Sequence, residues 1–292
     1  VMVRVKIRVR IRELHTIRGR TINTGGRRLS IAEYAEESFD RLLEAIRPAT
    51  VGMPTGGMFD RETYAAYCLI DGEEWPSDLI ERERHYLAAL LSGEEPGAPL
   101  HESQLAATLG KPFSYRKSDL AIFDMDRCLI VDPDRDYEDL LLIIEHANYQ
   151  LLELRALDKL LDRRLDEAER DMRAMYSGDR RKRHRLGTSI QEKFANIQSL
   201  RFDALFILEN LENSSKIIGD YYLGQIYDRL CGIFNTEGWK WSVERRLDTL
   251  ESIYDMVKTD LNDKKILVLE VVFIVVCVVF PVIQILQMMN GA

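Results

Sequence analysis

Cysteine is scarce in this chain: Cys68, Cys128, Cys231 and Cys277 lie far apart and form no CxxC pair. That excludes a disulfide framework and a thiolate zinc site, and the four read as reduced thiols of a cytosolic-facing protein. Histidine is equally uninformative, because His15, His85, His101, His146 and His184 show no HExxH spacing and no cluster with cysteine. A Gly-x-Ser-x-Gly elbow is absent too. The glycine-rich stretch TVGMPTGGMFD lacks the Lys-Ser/Thr pair of a nucleotide loop, so it reads as a plain loop. No cofactor, metal or catalytic residue is therefore expected. A formal net charge of -8 argues against general affinity for nucleic acid, and no specific nucleic-acid partner is expected.

What the chain does have is a long apolar run near its end. Ile266 to Met289 reads ILVLEVVFIVVCVVFPVIQILQMM, including Val271, Val276 and Pro281, and no charged residue follows it. A spanning helix needs about 20 apolar residues at about 1.5 Å rise each, so the run predicts a transmembrane helix in a lipid bilayer. Lys258, Lys264 and Lys265 precede it, which by the positive-inside bias predicts a single-pass protein with its N-terminal region cytoplasmic.

The chain opens VRVKIRVRIRE, where Val3, Val5, Ile7, Val9 and Ile11 alternate with Arg or Lys, the period of a half-buried strand with a solvated face. After a Gly-rich turn at 24–27, Ser30 and Glu33 make a capping box for an amphipathic helix that Pro48 ends. ETYAAYCLID reads as a strand and Pro76 to Ser92 as a helix. DLAIFD and RCLIVD follow as two short buried strands. Strands alternating with helices predict a small α/β domain over 1–133.

Beyond Pro133 the period changes. Leu140, Ile144, Leu151, Leu154, Leu161 and Leu165 fall at spacings of three and four, or sums of them, on a helix predicted from Asp136 to about Tyr176. Extra leucines widen this stripe, pointing to a helical bundle over 134–262 that leaves self-contacts, and so a homo-oligomer or an unidentified protein partner, open. Asp158 on the stripe reads as a polar residue that fixes register. Arg180, Arg181, Lys182, Arg183 and Arg185 are expected in an inter-helix turn, either solvated or binding an anionic group. The last helix begins near Trp239 and enters the apolar run without interruption. The expected fold class is α+β: an N-terminal α/β domain, a long-helix bundle, and a single transmembrane helix with a short tail over 263–292.

Three resemblances arise from these residues. AIFDMDRCLIVD is similar to the nucleophile motif of haloacid-dehalogenase-type phosphatases, which implies Asp124 as nucleophile, Asp126 as general acid/base and a magnesium ion. That family continues with Gly and Thr where this chain has Arg127 and Cys128, so the residues themselves read as a hairpin turn between two buried strands. SDLAIFDMDRCLIVDPD leading into the leucine-rich helix, with RRLDTLESIYDMVKTDLNDKK entering VLEVVFIVVCVVF, resembles the required-for-meiotic-nuclear-division family. That resemblance implies a membrane-linked tether without catalytic residues. The order of parts also looks like CorA-type magnesium transporters, whose Gly-Met-Asn signature is replaced here by Met289, Asn290, Gly291. The expectation is a non-enzymatic, tail-anchored interaction protein. A CorA-like channel subunit is the first alternative and a phosphatase the second.

Overall fold

The computed structural model describes residues 2–50, 61–71, 75–176 and 180–290, and for 50, 175–176, 180–192, 212, 214–217, 261–262, 264–265 and 282–290 it describes the backbone alone. The chain divides into two compact units: Val1–Glu153 with Asn213–Glu237, and Leu154–Glu212 with Gly238–Ala292. This cuts across the expected boundaries at 133 and 262, because one continuous helix is shared between the units.

In the first unit residues 2–10 form no strand, although the alternation persists as half-buried Val3, Ile7 and Val9 between exposed basic residues. A strand needs a hydrogen-bonded neighbour as well as a period, and none lies alongside this segment among the described residues. A 3₁₀ segment, Ile11–Gly19, follows, then the hairpin β1 (Thr21–Thr24) and β2 (Arg27–Ser30). Its two-residue turn needs positive φ at both positions, which Gly25 and Gly26 supply at +58° and +82°. Helix α1 (Ile31–Ile46) starts on the expected capping box: Ser30 Oγ accepts from Glu33 N at 3.1 Å, and Glu33 Oε2 accepts from Ser30 N at 2.7 Å.

The main sheet joins β3 (Ala65–Leu69), β5 (Arg127–Val131) and β4 (Leu120–Phe123) in that order, with β5 parallel to β3 and antiparallel to β4. Between β3 and β4 run α2 (Pro76–Arg82), α3 (Arg84–Ser92) and α4 (Glu102–Leu109). Leu87, Leu90 and Leu91 of α3 and Leu105 and Leu109 of α4 pack with Leu120, Ile122, Leu129 and Val131. Burying each such side chain is worth about 1.5–3 kcal/mol. Consecutive strand residues are all buried, so both faces of β4 and β5 are covered and their sequences lack alternation. After β5 the buried Asp132 carboxylate accepts from Asp134 N at 3.0 Å and Asp136 N at 2.7 Å, turning the chain toward the long helices.

Those are α5 (Glu138–Tyr176), α6 (Arg180–Ile217), α7 (Tyr221–Phe234) and α8 (Thr236–Asn290). Helix α7 starts on an Asp220 side chain that accepts from Leu223 N and ends on Asn235 in the left-handed region, and it belongs to the first unit. In the second unit Asp158 meets Ser242 and Arg246 while Asp171 meets Tyr254, so α5 and α8 run parallel. Gln198 meets Glu251 and Arg201 meets Asp248, so α6 runs antiparallel to α8. Their core joins Leu154, Leu157, Leu161, Ala168, Ile197, Ala204, Leu208, Val243, Leu247 and Leu250.

Two expectations change here. The backbone of 180–189 is helical, so the basic cluster opens α6 instead of forming a turn before it. The side chains of Arg180, Arg181, Lys182, Arg183 and Arg185 lie outside the described residues. The other change concerns the C-terminal run. Among the described residues no helix is long and apolar enough to cross a membrane. Within α8 the acidic Glu270 stands among the exposed apolar side chains. The transmembrane helix, the tail anchor and the single-pass topology with a cytoplasmic N-terminal region are therefore corrected, and with them the channel that needed a span. Ile266, Val271 and Val276 are exposed residues of α8, as is Pro281, while the side chain of Met289 lies outside the described residues.

Candidate functional site

The sharpest sequence motif folds as a turn. Asp124 N donates to Arg127 O at 2.8 Å and closes a two-residue loop, Met125–Asp126, between β4 and β5. The Asp124 carboxylate accepts from Met125 N at 2.7 Å, which braces that loop. Tyr64 directs its hydroxyl at the carbonyls of both Asp124 (3.1 Å) and Arg127 (2.8 Å), and its ring meets the Phe234 ring edge to face at 6.2 Å. Asp126 is held through its backbone, where its carbonyl accepts from Ala65 N at 2.9 Å. Arg127 donates Nη1–H to Leu90 O at 2.9 Å near the end of α3, while its Nε meets Asp126 Oδ2 at 3.4 Å. The C-terminal carbonyls of a helix attract a cation, and Gly93, in the left-handed region, leaves room for the guanidinium.

Burial raises the Asp124 carboxyl above its ordinary value, with the Met125 amide opposing. A phosphoryl-transfer nucleophile has to be ionised and surrounded by cation ligands. Among the described residues no group of His, Cys, Asp or Glu side chains is arranged to hold a metal ion. The Cys68 and Cys128 thiols are no better placed as nucleophiles, since burial pushes Cys68 up to about 11 and raises Cys128 well above its ordinary value.

The bundle stripe is divided between the two units, Leu140, Ile144 and Leu151 in the first and Leu154, Leu161 and Leu165 in the second. Ile144, Leu151, Leu154 and Leu161 are buried, whereas Leu140 and Leu165 are half-buried at its edges. Polar side chains bind the three helices of the second unit in a ladder. Asp158 accepts from Ser242 Oγ and pairs with Arg246 Nε, both at 3.0 Å, and Arg246 also reaches Asp162. Asp171 accepts from Lys193 at 2.5 Å and from the Tyr254 hydroxyl at 3.1 Å. Asp158 stood out in the sequence, but Arg246 did not, because nothing local marks it as the partner of a residue on another helix.

A buried polar chain in the first unit was also missed. Tyr227 donates its hydroxyl proton to Gln150 Oε1, both side chains being nearly inaccessible, and the His146 ring stacks on Tyr227 at 5.9 Å. The spacing of His146 and Gln150, one turn apart on α5, was the available signal; their partner lies on α7.

Most conspicuous in the second unit is the apolar part of α8. From Ile266 to Phe280 thirteen large apolar side chains are 46–73% exposed, and they surround the helix on every side. Elsewhere on α8, Trp241, Glu244, Arg245, Asp248, Thr249, Ser252 and Ile253 line a shallow, open groove of mixed polarity.

Comparison with known proteins adds kinship without chemistry. Residues 1–138 match the family model described as "Uncharacterized protein MJ0711, N-terminal domain". Over 243 residues the chain is 26% identical to Uncharacterized protein MJ0711 of Methanocaldococcus jannaschii, an alignment covering 83% of this chain and 70% of that protein. No solved structure gives a significant match. These similarities concern neither the meiotic-division family nor CorA-type transporters, and neither description states an activity.

Proposed function

We propose that this protein acts by binding rather than by catalysis, and that it assembles with further copies of itself through the apolar part of α8. The observation that carries the reading is the all-round exposure of that segment. A helix apolar on every side is a buried helix in its working state, and an uncovered apolar patch of this extent marks an association surface. A second copy of the same helix is the natural cover. Val268, Val272, Val275 and Val279 recur at spacings of four, three and four, a seam that packs against its own image when two such helices run side by side. Glu270 lies outside the seam, where its carboxylate stays in contact with water. The non-catalytic part is supported by Asp124, whose carboxylate serves the turn, and by thiols held protonated.

Light scattering coupled to gel filtration tests this directly. The native chain should run at a multiple of 33.8 kDa, and V272D/V275D should return it toward a single chain with the melting of the first unit unchanged. A native mass of one chain would remove the proposal.

A further inference from the structure

Net charge hides how charge is distributed along this chain. The first 30 residues hold nine Lys and Arg against one acidic residue, Glu13, leaving 31 of the 40 basic residues against 47 of the 48 acidic ones in the remainder. A ligand at the surface senses the charge within about 8 Å at physiological salt, so the overall acidity does not decide what binds here.

The structure arranges the basic residues in a row. Arg4, Lys6, Arg8, Arg10 and Arg12 are all exposed, while Val3, Ile7, Val9 and Ile11 between them are half-buried. Val9 and Ile11 pack against the core beneath α3 and α4, which fixes the face the segment turns outward. Alternate residues of an extended chain lie about 7 Å apart, since each residue advances about 3.3 Å. The row is fastened at both ends: Arg4 pairs with Glu138 at 2.5 Å and Arg12 with Glu83 at 2.9 Å. Between these anchors Lys6, Arg8 and Arg10 have no carboxylate partner among the described residues. Three neighbouring cations whose side chains pair with no carboxylate among the described residues, Glu13 meeting Arg10 only at its backbone amide, are a site for a polyanion.

We propose that Lys6, Arg8 and Arg10 form a phosphate-binding strip that takes the backbone of a single-stranded nucleic acid without reading its sequence. Guanidinium forks suit phosphate oxygens, and a linear row follows one linear chain of phosphates. No aromatic side chain stands beside Lys6, Arg8 or Arg10 in the sequence to stack a base, so the strip would hold phosphates alone. Anionic lipid is the weaker match. Surface-binding segments insert their apolar side between acyl chains, whereas Val9 and Ile11 of this one pack against its own core. This inference is independent of self-association through α8.

The test is fluorescence anisotropy of a short labelled oligouridylate with the full chain, titrated at several salt concentrations. Three phosphate contacts predict a slope of log K against log salt of about −2, which is a loss of roughly 20-fold between 50 and 200 mM salt. K6Q/R8Q/R10Q should weaken binding at least tenfold at the lower salt and flatten the slope by about 2. A control with the same change in net charge, K111Q/K117Q/R163Q, should bind as the native chain does. All three strip side chains are exposed, so the variant should keep the native unfolding midpoint; R8E alone, which changes the strip by two charges, gives a second reading if it does not. Four results would overturn the proposal: no binding at low salt, equal losses in the variant and the control, polyaspartate competing as well as the oligonucleotide, or binding confined to vesicles containing phosphatidylglycerol.

Discussion

Arg246 stands between two carboxylates of α5 that differ mainly in their access to water, and that contrast makes a sharp test of what holds the three helices of the second unit in register. Asp158 is 14% exposed and Asp162 64% exposed, while Arg246 itself is 30% exposed. Removing one member of a fully buried pair costs about 3–5 kcal/mol, because the survivor is left desolvated without a counter-charge. Here the survivor keeps Asp162 and some water, so Asp158→Ala should cost about 2 kcal/mol, including the Ser242 hydroxyl that loses its acceptor. Asp162→Ala removes a contact to the same guanidinium in nearly full solvent and should cost about 0–1 kcal/mol. Denaturant unfolding in a Trp75→Phe background, read through Trp239 and Trp241 of the second unit, reports this difference without a signal from the first unit's Trp75. A double-mutant cycle pairing Asp158→Ala with Arg246→Ala should give a coupling of about 1–2 kcal/mol, and the cycle through Asp162 a few tenths. Equal costs for the two aspartates, or no coupling between Asp158 and Arg246, would refute the assignment of register to the buried pair.

Two further outcomes follow from the same structure. Leu161→Ala, at a fully buried position of the bundle core, should destabilise the second unit by about 2–5 kcal/mol, and Leu165→Ala at its half-buried edge clearly less; thermal melts giving the two the same cost would contradict the stripe's orientation. At the β4–β5 turn the folded chain holds the Asp124 proton more tightly than the unfolded chain, whose ordinary value is 3.8. Ionisation of this group therefore opposes folding: stability is gained as pH falls through the raised folded value toward the unfolded one, and lost as pH rises. Asp124→Asn, whose amide oxygen can still accept from Met125 N, should be the more stable protein at about pH 7 and lose its advantage near the unfolded value. Neither form should hydrolyse phosphomonoesters with magnesium present, and native turnover abolished in a folded Asp124→Asn would restore the phosphatase reading.

Short-range features were legible in the sequence because their causes are short-range. The capping box of Ser30 and Glu33, the double-glycine turn, the hairpin at Asp124–Arg127 and the three-and-four spacing of Ile144, Leu151, Leu154 and Leu161 each depend on residues a few positions apart. Side-chain chemistry and backbone geometry settle them before any tertiary contact forms. The helix expected from Asp136 to about Tyr176 belongs to the same class, whereas the basic run expected in a turn lies in α6, since arginine and lysine are good helix formers with no local reason to stay in a turn.

Tertiary structure decided whatever needed a second element. Residues 3–11 carry the period of a strand and form none, because a ladder exists only where another backbone offers its hydrogen bonds. Helix α5 is one helix by its sequence and belongs to two units by its packing, since the division falls where its neighbours change, from the sheet and α7 to α6 and α8. The pairing of Asp158 with Ser242 and of Gln150 with Tyr227 joins residues on different helices, 84 positions apart in the first case and 77 in the second, a relation that no pattern along one helix encodes. The exposure of the apolar side chains of α8 was likewise decided by what packs against them. Composition fixes how hydrophobic a segment is; only the fold fixes how far it reaches and which side chains are left uncovered when every other core has closed.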